Sequence, residues 1–264
     1  MSVVYVYGFV AAEAPSPLSD ASLTGIDDAE VELVGLGAFQ AVISHVSGER
    51  YAPERIEARL EDLRWVGEQG LAHERVVSWF VDRGVIVPVP LFTFYSGIDA
   101  LREDAMERAP AIEARLARFS GRHEWDLKVG YRAGEAAAHA GDLSDTVRSL
   151  DEEIANAAPG RRFLLERKRA DVAREVLGRS VRSRAVQLLD ALRPFADEVV
   201  QLPLPQSELT LPVVLFAALL VPIAAEPRLV ETANRLVREN EPLGIDVAFS
   251  GPWAPYRFIG EDDA

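Results

Sequence analysis

The chain reads as an α+β protein of two domains, the second of them ferredoxin-like. Three observations predict this. Short apolar runs with strand character alternate with amphipathic helical stretches along the 264 residues. Composition shifts to Ala, Gly, Asp and Ser between residues 133 and 160, the strongest boundary signal in the chain. From Trp125 onward the elements follow the order β-α-β-β-α-β, that of the split βαβ fold. The expected division is a mixed α+β domain over 1–132, a linker with a short helix over 133–160, and a C-terminal domain over 161–264. The strand near 124–131 fits as the first strand of that second domain.

The N-terminal half begins with a strand from Val3 to Val10. Val31-Glu32-Leu33-Val34 and Phe39 to Val46 form a hairpin pair across Gly35-Leu36-Gly37. Pro53 opens a helix whose apolar positions, Ile56, Leu60, Leu63 and Gly67, recur at i, i+4 and i+7. Trp65 lies about opposite that stripe, so it meets either a second packing layer or a partner. A second helix over Leu71 to Val81 places Ala72, Val76, Trp79 and Phe80 on one side. Val85 to Phe94 reads as a strand, and Ser96-Gly97-Ile98-Asp99 as a capping box opening a helix that Pro110 interrupts. The helical pattern resumes through Ile112, Leu116 and Phe119 before the strand Trp125 to Tyr131.

In the second half a small helical repeat at Leu143, Val147, Leu150 and Ile154 precedes a long helix from Arg161 to Arg193, stopped by Pro194. Strands over Glu198 to Leu204 and Leu211 to Val221 follow, then a helix from Pro227 and a final strand over Gly244 to Ser250. The run Leu209 to Ala225 holds no charge, but Pro212 and Pro222 stand near its ends, and a membrane span needs about 20 apolar residues. It reads as a strand buried on both faces, and no membrane contact is expected.

A hydrophobic content of 48% with 27% charged residues is that of a globular protein. The absence of cysteine excludes disulfides, thiolate metal sites and cysteine nucleophiles. The N-terminus enters a strand with no signal-peptide pattern, so a cytoplasmic protein is expected. A net charge of −14 argues against nucleic acid as a partner. Ten basic against four acidic residues between Arg161 and Arg193 give a local +6, either a solvated face or a dock for an acidic partner.

Catalytic patterns fail one by one. His73-Glu74 begins like a zinc-protease helix, but Val77 stands where the second histidine must be. His45, His123 and His139 have no ligand spacing, and a buried, hydrogen-bonded His73 is expected. Gly35-Leu36-Gly37 lacks the third glycine of a dinucleotide loop and the helix that must follow. No phosphate-binding loop or nucleophile elbow occurs. No enzymatic activity, metal or organic cofactor is expected.

The most informative segment is Gly251-Pro252-Trp253-Ala254-Pro255-Tyr256-Arg257-Phe258, next to the acidic Glu261-Asp262-Asp263. Its prolines fix φ and remove backbone donors, so the segment is expected neither to continue a ladder nor to enter a helix. Its aromatics need a surface to lie on, so it clamps back over the protein or offers a shelf to a partner. The segment resembles the Gly-Pro-Trp-Pro-Pro-Tyr-Ser-Phe ending of the GvpF/GvpL gas vesicle proteins, with Ala254 and Arg257 as departures. Val4-Tyr5-Val6-Tyr7-Gly8, Ala72-His73-Glu74-Arg75-Val76-Val77, Val87-Pro88-Val89-Pro90-Leu91-Phe92 and Glu124-Trp125-Asp126-Leu127-Lys128-Val129 are similar, in order, to further pieces of that family.

The resemblance implies a non-enzymatic accessory or assembly protein at the gas vesicle. Its partners would be the hydrophobic shell subunit and other gas vesicle accessory proteins. Trp65, His73 and Trp79, with the terminal Trp253, Tyr256 and Phe258, are the candidate partner-binding or motif residues. The alternative is a small-molecule sensor or enzyme on a ferredoxin-like domain, because fold alone does not decide function.

Overall fold

The computed structural model describes residues 2–17, 22–204 and 211–260, and the chain divides into two compact units. Unit 1 is Met1–Glu124 with Pro252–Ala264; unit 2 is Trp125–Gly251. The fold is mixed α+β with two sheets.

In unit 1, β1 (Ser2–Ala11), β2 (Glu32–Gly35), β3 (Phe39–Ser47), β4 (Ile86–Pro88) and β5 (Phe94–Tyr95) form a sheet in the order β2-β3-β1-β4, with β5 also pairing β1. All of these pairs are antiparallel. The hairpin expected across Gly35-Leu36-Gly37 sets Glu32 opposite Ile43 and Gly35 opposite Gln40. The helices are α1 (Pro53–Glu57), α2 (Leu63–Val81), α3 (Ile98–Glu107) and α4 (Ala109–Phe119).

The central strand β1 is buried on both faces, which explains its unbroken apolar sequence. Its pairing with β3 slips between Val6 and Gly8. A bulge of this kind moves the following side chains to the other face. Tyr5 and Tyr7 therefore share one core cluster with Val10 rather than with Phe9. Phe9 packs edge-on to Phe39 and lines a cavity with Ile112 of α4. Gly8 permits this arrangement, because a Cβ there would stand 2.6 Å from the Val87 carbonyl oxygen.

Several elements differ from expectation. The helix from Pro53 ends at Glu57, and a new one starts at Leu63 and runs unbroken through Gly67 and Gly70 to Val81. The strand expected over Val85 to Phe94 is two short strands, because Pro88 and Pro90 have no amide hydrogen to donate to a ladder. The capping box at Ser96 does not form: Gly97 is the N-cap, with no side-chain cap hydrogen bond. Pro110 lies in the first turn of α4, where a missing donor is tolerated.

Unit 2 takes up most of β6 (Arg122–Tyr131), then α5 (Ala133–Ala138), α6 (Ala140–Leu143), α7 (Asp145–Ala155) and α8 (Pro159–Leu192). It continues with β7 (Glu198–Gln201), β8 (Val213–Pro222), α9 (Glu226–Asn240) and most of β9 (Ile245–Trp253). The segment 133–160, expected as a linker with one short helix, carries three helices, and α7 packs on α8. The sheet order is β7-β8-β6-β9.

The core of unit 2 is aliphatic, with Leu127, Val129, Val181, Leu188, Leu219 and Leu229 among its buried members. Trp125 stacks on Phe249 at 5.0 Å, and its Nε1 donates to Glu226 at 3.0 Å. The uncharged run becomes β8, held between β7 and β6; its first residues, Leu209 and Thr210, lie outside the described residues, as does the acidic tail at 261–264. Among the described residues no helix is long and apolar enough to cross a membrane.

Candidate functional site

The candidate site in unit 1 is organised by α2. Asp62 caps this helix, its side chain accepting from the Trp65 amide at 3.2 Å. Counting from that cap, Trp65, Gln69, His73, Val76, Val77 and Phe80 fall at three- and four-residue intervals and are all buried. Trp65 is thus the first residue of the buried stripe, not an out-of-phase aromatic. It does lie opposite Leu63 and Gly67, but its face of the helix is the buried one.

The stripe meets β1 through hydrogen bonds between side chains. The Tyr5 hydroxyl lies 2.7 Å from His73 Nδ1, and Tyr51 donates to Gln69 Oε1 at 2.7 Å. With the Tyr5 hydroxyl donating to Nδ1, the imidazole proton sits on Nε2, which has no hydrogen-bond partner; nor has Trp65 Nε1. His73 is only 4% exposed, and burial lowers its pKa to about 4, so the ring is neutral near pH 7. Tyr7 donates to Ser44 Oγ at 3.0 Å and accepts from the Ile26 amide at 2.9 Å. Burial pushes the Tyr7 phenol up to about 12 and raises Tyr5 further. Gly25 makes room for Tyr7, since a Cβ there would collide with the phenol oxygen.

The opposite face of α2 carries exposed apolar residues beside the exposed Arg64–Glu68 ion pair. Leu63, Gly67 and Leu71 recur at i, i+4 and i+8, with Leu63 82% and Leu71 71% exposed. Leu60, in the turn before the helix, is 49% exposed and lines a groove of about 580 Å³ with Ile56, Tyr51, Phe92, Phe94 and Tyr95. The stripe read from the sequence at Leu60, Leu63 and Gly67 exists, but it faces water.

Aromatic rings connect the groove to the core. Phe92 stacks on Trp65 at 5.2 Å and 8°, Tyr51 meets Phe94 at 5.1 Å, and Phe94 meets Tyr5 at 5.0 Å. Arg59 lies over the other side of this cluster, 4.2 Å from the Trp65 ring centre. Phe92 has a φ of 69°, a conformation that is costly for a bulky residue.

The terminal segment closes onto unit 1. β9 continues through Pro252 to Trp253, so strand structure does persist past the proline; β9 is a sheet edge, where a missing donor costs little. Ala254 is then fully buried in the core that holds Tyr5, Tyr7 and Trp65. Tyr256 donates to Glu74 Oε2 at 3.1 Å, and the Arg257 amide donates to buried Glu124 at 2.8 Å. Arg118 donates to the Phe258 carbonyl at 3.2 Å. Burial raises the pKa of Glu74, while the Ser78 and Tyr256 hydroxyls oppose that shift.

Trp65, His73 and Tyr256 therefore meet around one core, and Phe258 is also buried, at 4% exposure. Trp79 belongs to the same core cluster, beneath Arg83 at 4.1 Å. Trp253 is 36% exposed, in contrast to the burial its aromatic size suggests. Sequence reasoning missed Tyr51, Phe92, Phe94 and Glu74. Asp62 three residues before Trp65 was an available signal for the start of α2, though not for which of its faces is buried. Among the described residues no group of three or more His, Asp or Glu could hold a metal ion.

The family model for gas vesicle synthesis protein GvpL/GvpF matches residues 3–260. Gas vesicle protein L of a Streptomyces species is 30% identical over 244 residues, covering 89% of this chain and 85% of that one. Gas vesicle protein L1 of Halobacterium salinarum is 28% identical over 247 residues, covering 90% and 83%. The crystal structure of GvpF from an Anabaena species superposes with a TM-score of 0.69 at 18% identity, covering 98% of this chain and 99% of that one. GvpF from Microcystis aeruginosa gives 0.65 at 17%, with the same coverage.

Proposed function

Because the chain belongs to the GvpL/GvpF gas vesicle synthesis family, and so has a role in gas vesicle formation, we propose that it binds the hydrophobic shell subunit through unit 1 and acts without catalysis. The observation that carries this is the exposed row Leu63-Gly67-Leu71 beside the aromatic groove at Leu60. Contiguous exposed apolar surface marks interaction sites, and an apolar helix or strand would fit such a groove. Trp65, His73 and Trp79 serve beneath this surface as its support, not as the contact itself. The acidic surface keeps the complex soluble, at the gas vesicle and in the cytoplasm, where other gas vesicle accessory proteins are its further partners.

We also read unit 2 as ferredoxin-like. Its main elements run β6-α8-β7-β8-α9-β9, and the sheet order β7-β8-β6-β9 supports the reading, with α5–α7 inserted before the first long helix.

Deleting the gene in a gas-vesicle-forming host tests the proposal. Imaging should show vesicles lost or sharply reduced, restored by the native gene, and not restored by Leu63→Ser with Leu71→Ser at equal protein level. Unchanged vesicles in the deletion strain would overturn it.

A further inference from the structure

A second cavity in unit 1, of about 290 Å³, lies on the sheet face turned away from the tyrosine core. The bulge in β1 brings Phe9 to this face, and Phe9 stands directly opposite Val87 in the β1–β4 pair. Cross-strand partners share a face, as do residues two apart along an extended chain, so Phe9, Val87 and Val89 project together. Ile112 of α4 comes over them, and all four side chains are buried and line the cavity. Tyr256 and Ile259 of the terminal segment form a further wall.

The polar groups around this space are committed elsewhere. The Tyr256 hydroxyl donates to Glu74 at 3.1 Å, the Val89 amide donates to the Tyr7 carbonyl at 3.1 Å, and the Pro90 carbonyl accepts from Thr93 at 2.7 Å. Pro88 and Pro90 have no amide hydrogen to offer. Arg108 and Arg115 border the cavity, but neither guanidinium is free, and Arg108 pairs with Asp104 at 3.4 Å. Such a site returns little for the desolvation of a charged or hydrogen-bonding ligand, and so favours a neutral apolar one. An apolar cavity of about 150 Å³ stays dry and takes up benzene; this one has about twice that space, which suits two fused rings.

We propose that this cavity binds a small neutral hydrocarbon of about the bulk of naphthalene, held by contact with Phe9, Val87, Val89 and Ile112. The proposal is independent of the shell-binding reading, whose groove is lined by different residues.

Equilibrium dialysis of the full chain against naphthalene and against 2-naphthoate tests it. Naphthalene should bind saturably at one site, about tenfold or more tighter than the acid, whose carboxylate must be stripped of water. Nuclear Overhauser contacts from bound naphthalene should reach the methyl groups of Val87, Val89 and Ile112, not those of Ile56 and Leu60 in the shell-binding groove. Val89→Phe puts added bulk into the cavity and should weaken naphthalene about tenfold or more in a chain that still unfolds cooperatively. Should that variant fail to fold, the contacts on native protein decide the matter. Absence of saturable naphthalene binding, equal or tighter binding of the acid, contacts confined to Ile56 and Leu60, or a folded Val89→Phe chain that binds as the native one does would each overturn the proposal.

Discussion

Unit 1 and unit 2 each bury strands of a sheet against helices, but they fill the space differently. Unit 2 does so with aliphatic side chains, among which Trp125 bonds to Glu226, and Asn240 to Arg184 and the Leu236 carbonyl. Unit 1 packs tyrosines, a neutral histidine and tryptophans into its core, and leaves His73 Nε2 and Trp65 Nε1 without partners. It also holds a bulky residue at positive φ, two cavities and an exposed leucine row. Departures from simple packing concentrate where a protein has something to bind. The contrast fits the proposal that unit 1 carries the partner-binding surface.

Predictions that break or sharpen this contrast can be ranked by size. Phe258→Ala should cost about 3 kcal/mol or more, because a buried phenyl is lost, whereas Trp253→Ala should cost under about 1 kcal/mol on an exposed site. Denaturant unfolding of both variants checks this, and equal losses would show the terminal segment to be packed otherwise.

Next is the pH dependence of unit 1. His73 is depressed from 6.5 to about 4 in the folded chain, so the unfolded chain binds the extra proton first. Its contribution is complete above about pH 6.5 and is lost as pH falls towards 4, about 3 kcal/mol in all. His73→Gln should flatten the stability profile in that window; an unchanged slope would place the titration elsewhere.

Smaller effects are expected at the latch and the cap. Tyr256→Phe removes the hydroxyl from Glu74 and should cost about 1–2 kcal/mol. Asp62→Ala should cost about 1 kcal/mol by removing the N-cap of α2. Thermal melts of the two variants would check both values.

Much of the fold was legible from periodicity alone. β1, the β2–β3 hairpin, α8, β8 and α9 lie close to where the apolar patterns put them. The error at α2 has a clear cause: local pattern does not say which apolar face is inside. The stripe at Leu60, Leu63 and Gly67 is a genuine helical pattern, yet tertiary packing chose the face marked by Trp65, Gln69 and His73. His73 was readable as a buried, hydrogen-bonded residue, but its partner Tyr5 lies 68 positions away. Phe92 and Tyr51 were not readable as groove residues, because long-range contacts bring them together. The strand continuing through Pro252 depends on β9 being an edge, a property of sheet order that no local signal carries.

The central claim is that unit 1 recognises the shell subunit through the outward leucine row, and retention of that subunit on the immobilised full chain tests it most directly. Measured at low salt and at 1 M salt, where the screening length falls to about 3 Å, native protein should retain the shell subunit equally at both. Leu63→Ser with Leu71→Ser should lose it at both while changing stability by no more than about 0.5 kcal/mol. Retention that survives the double variant and disappears at high salt would contradict the account and point instead to the basic stretch of α8.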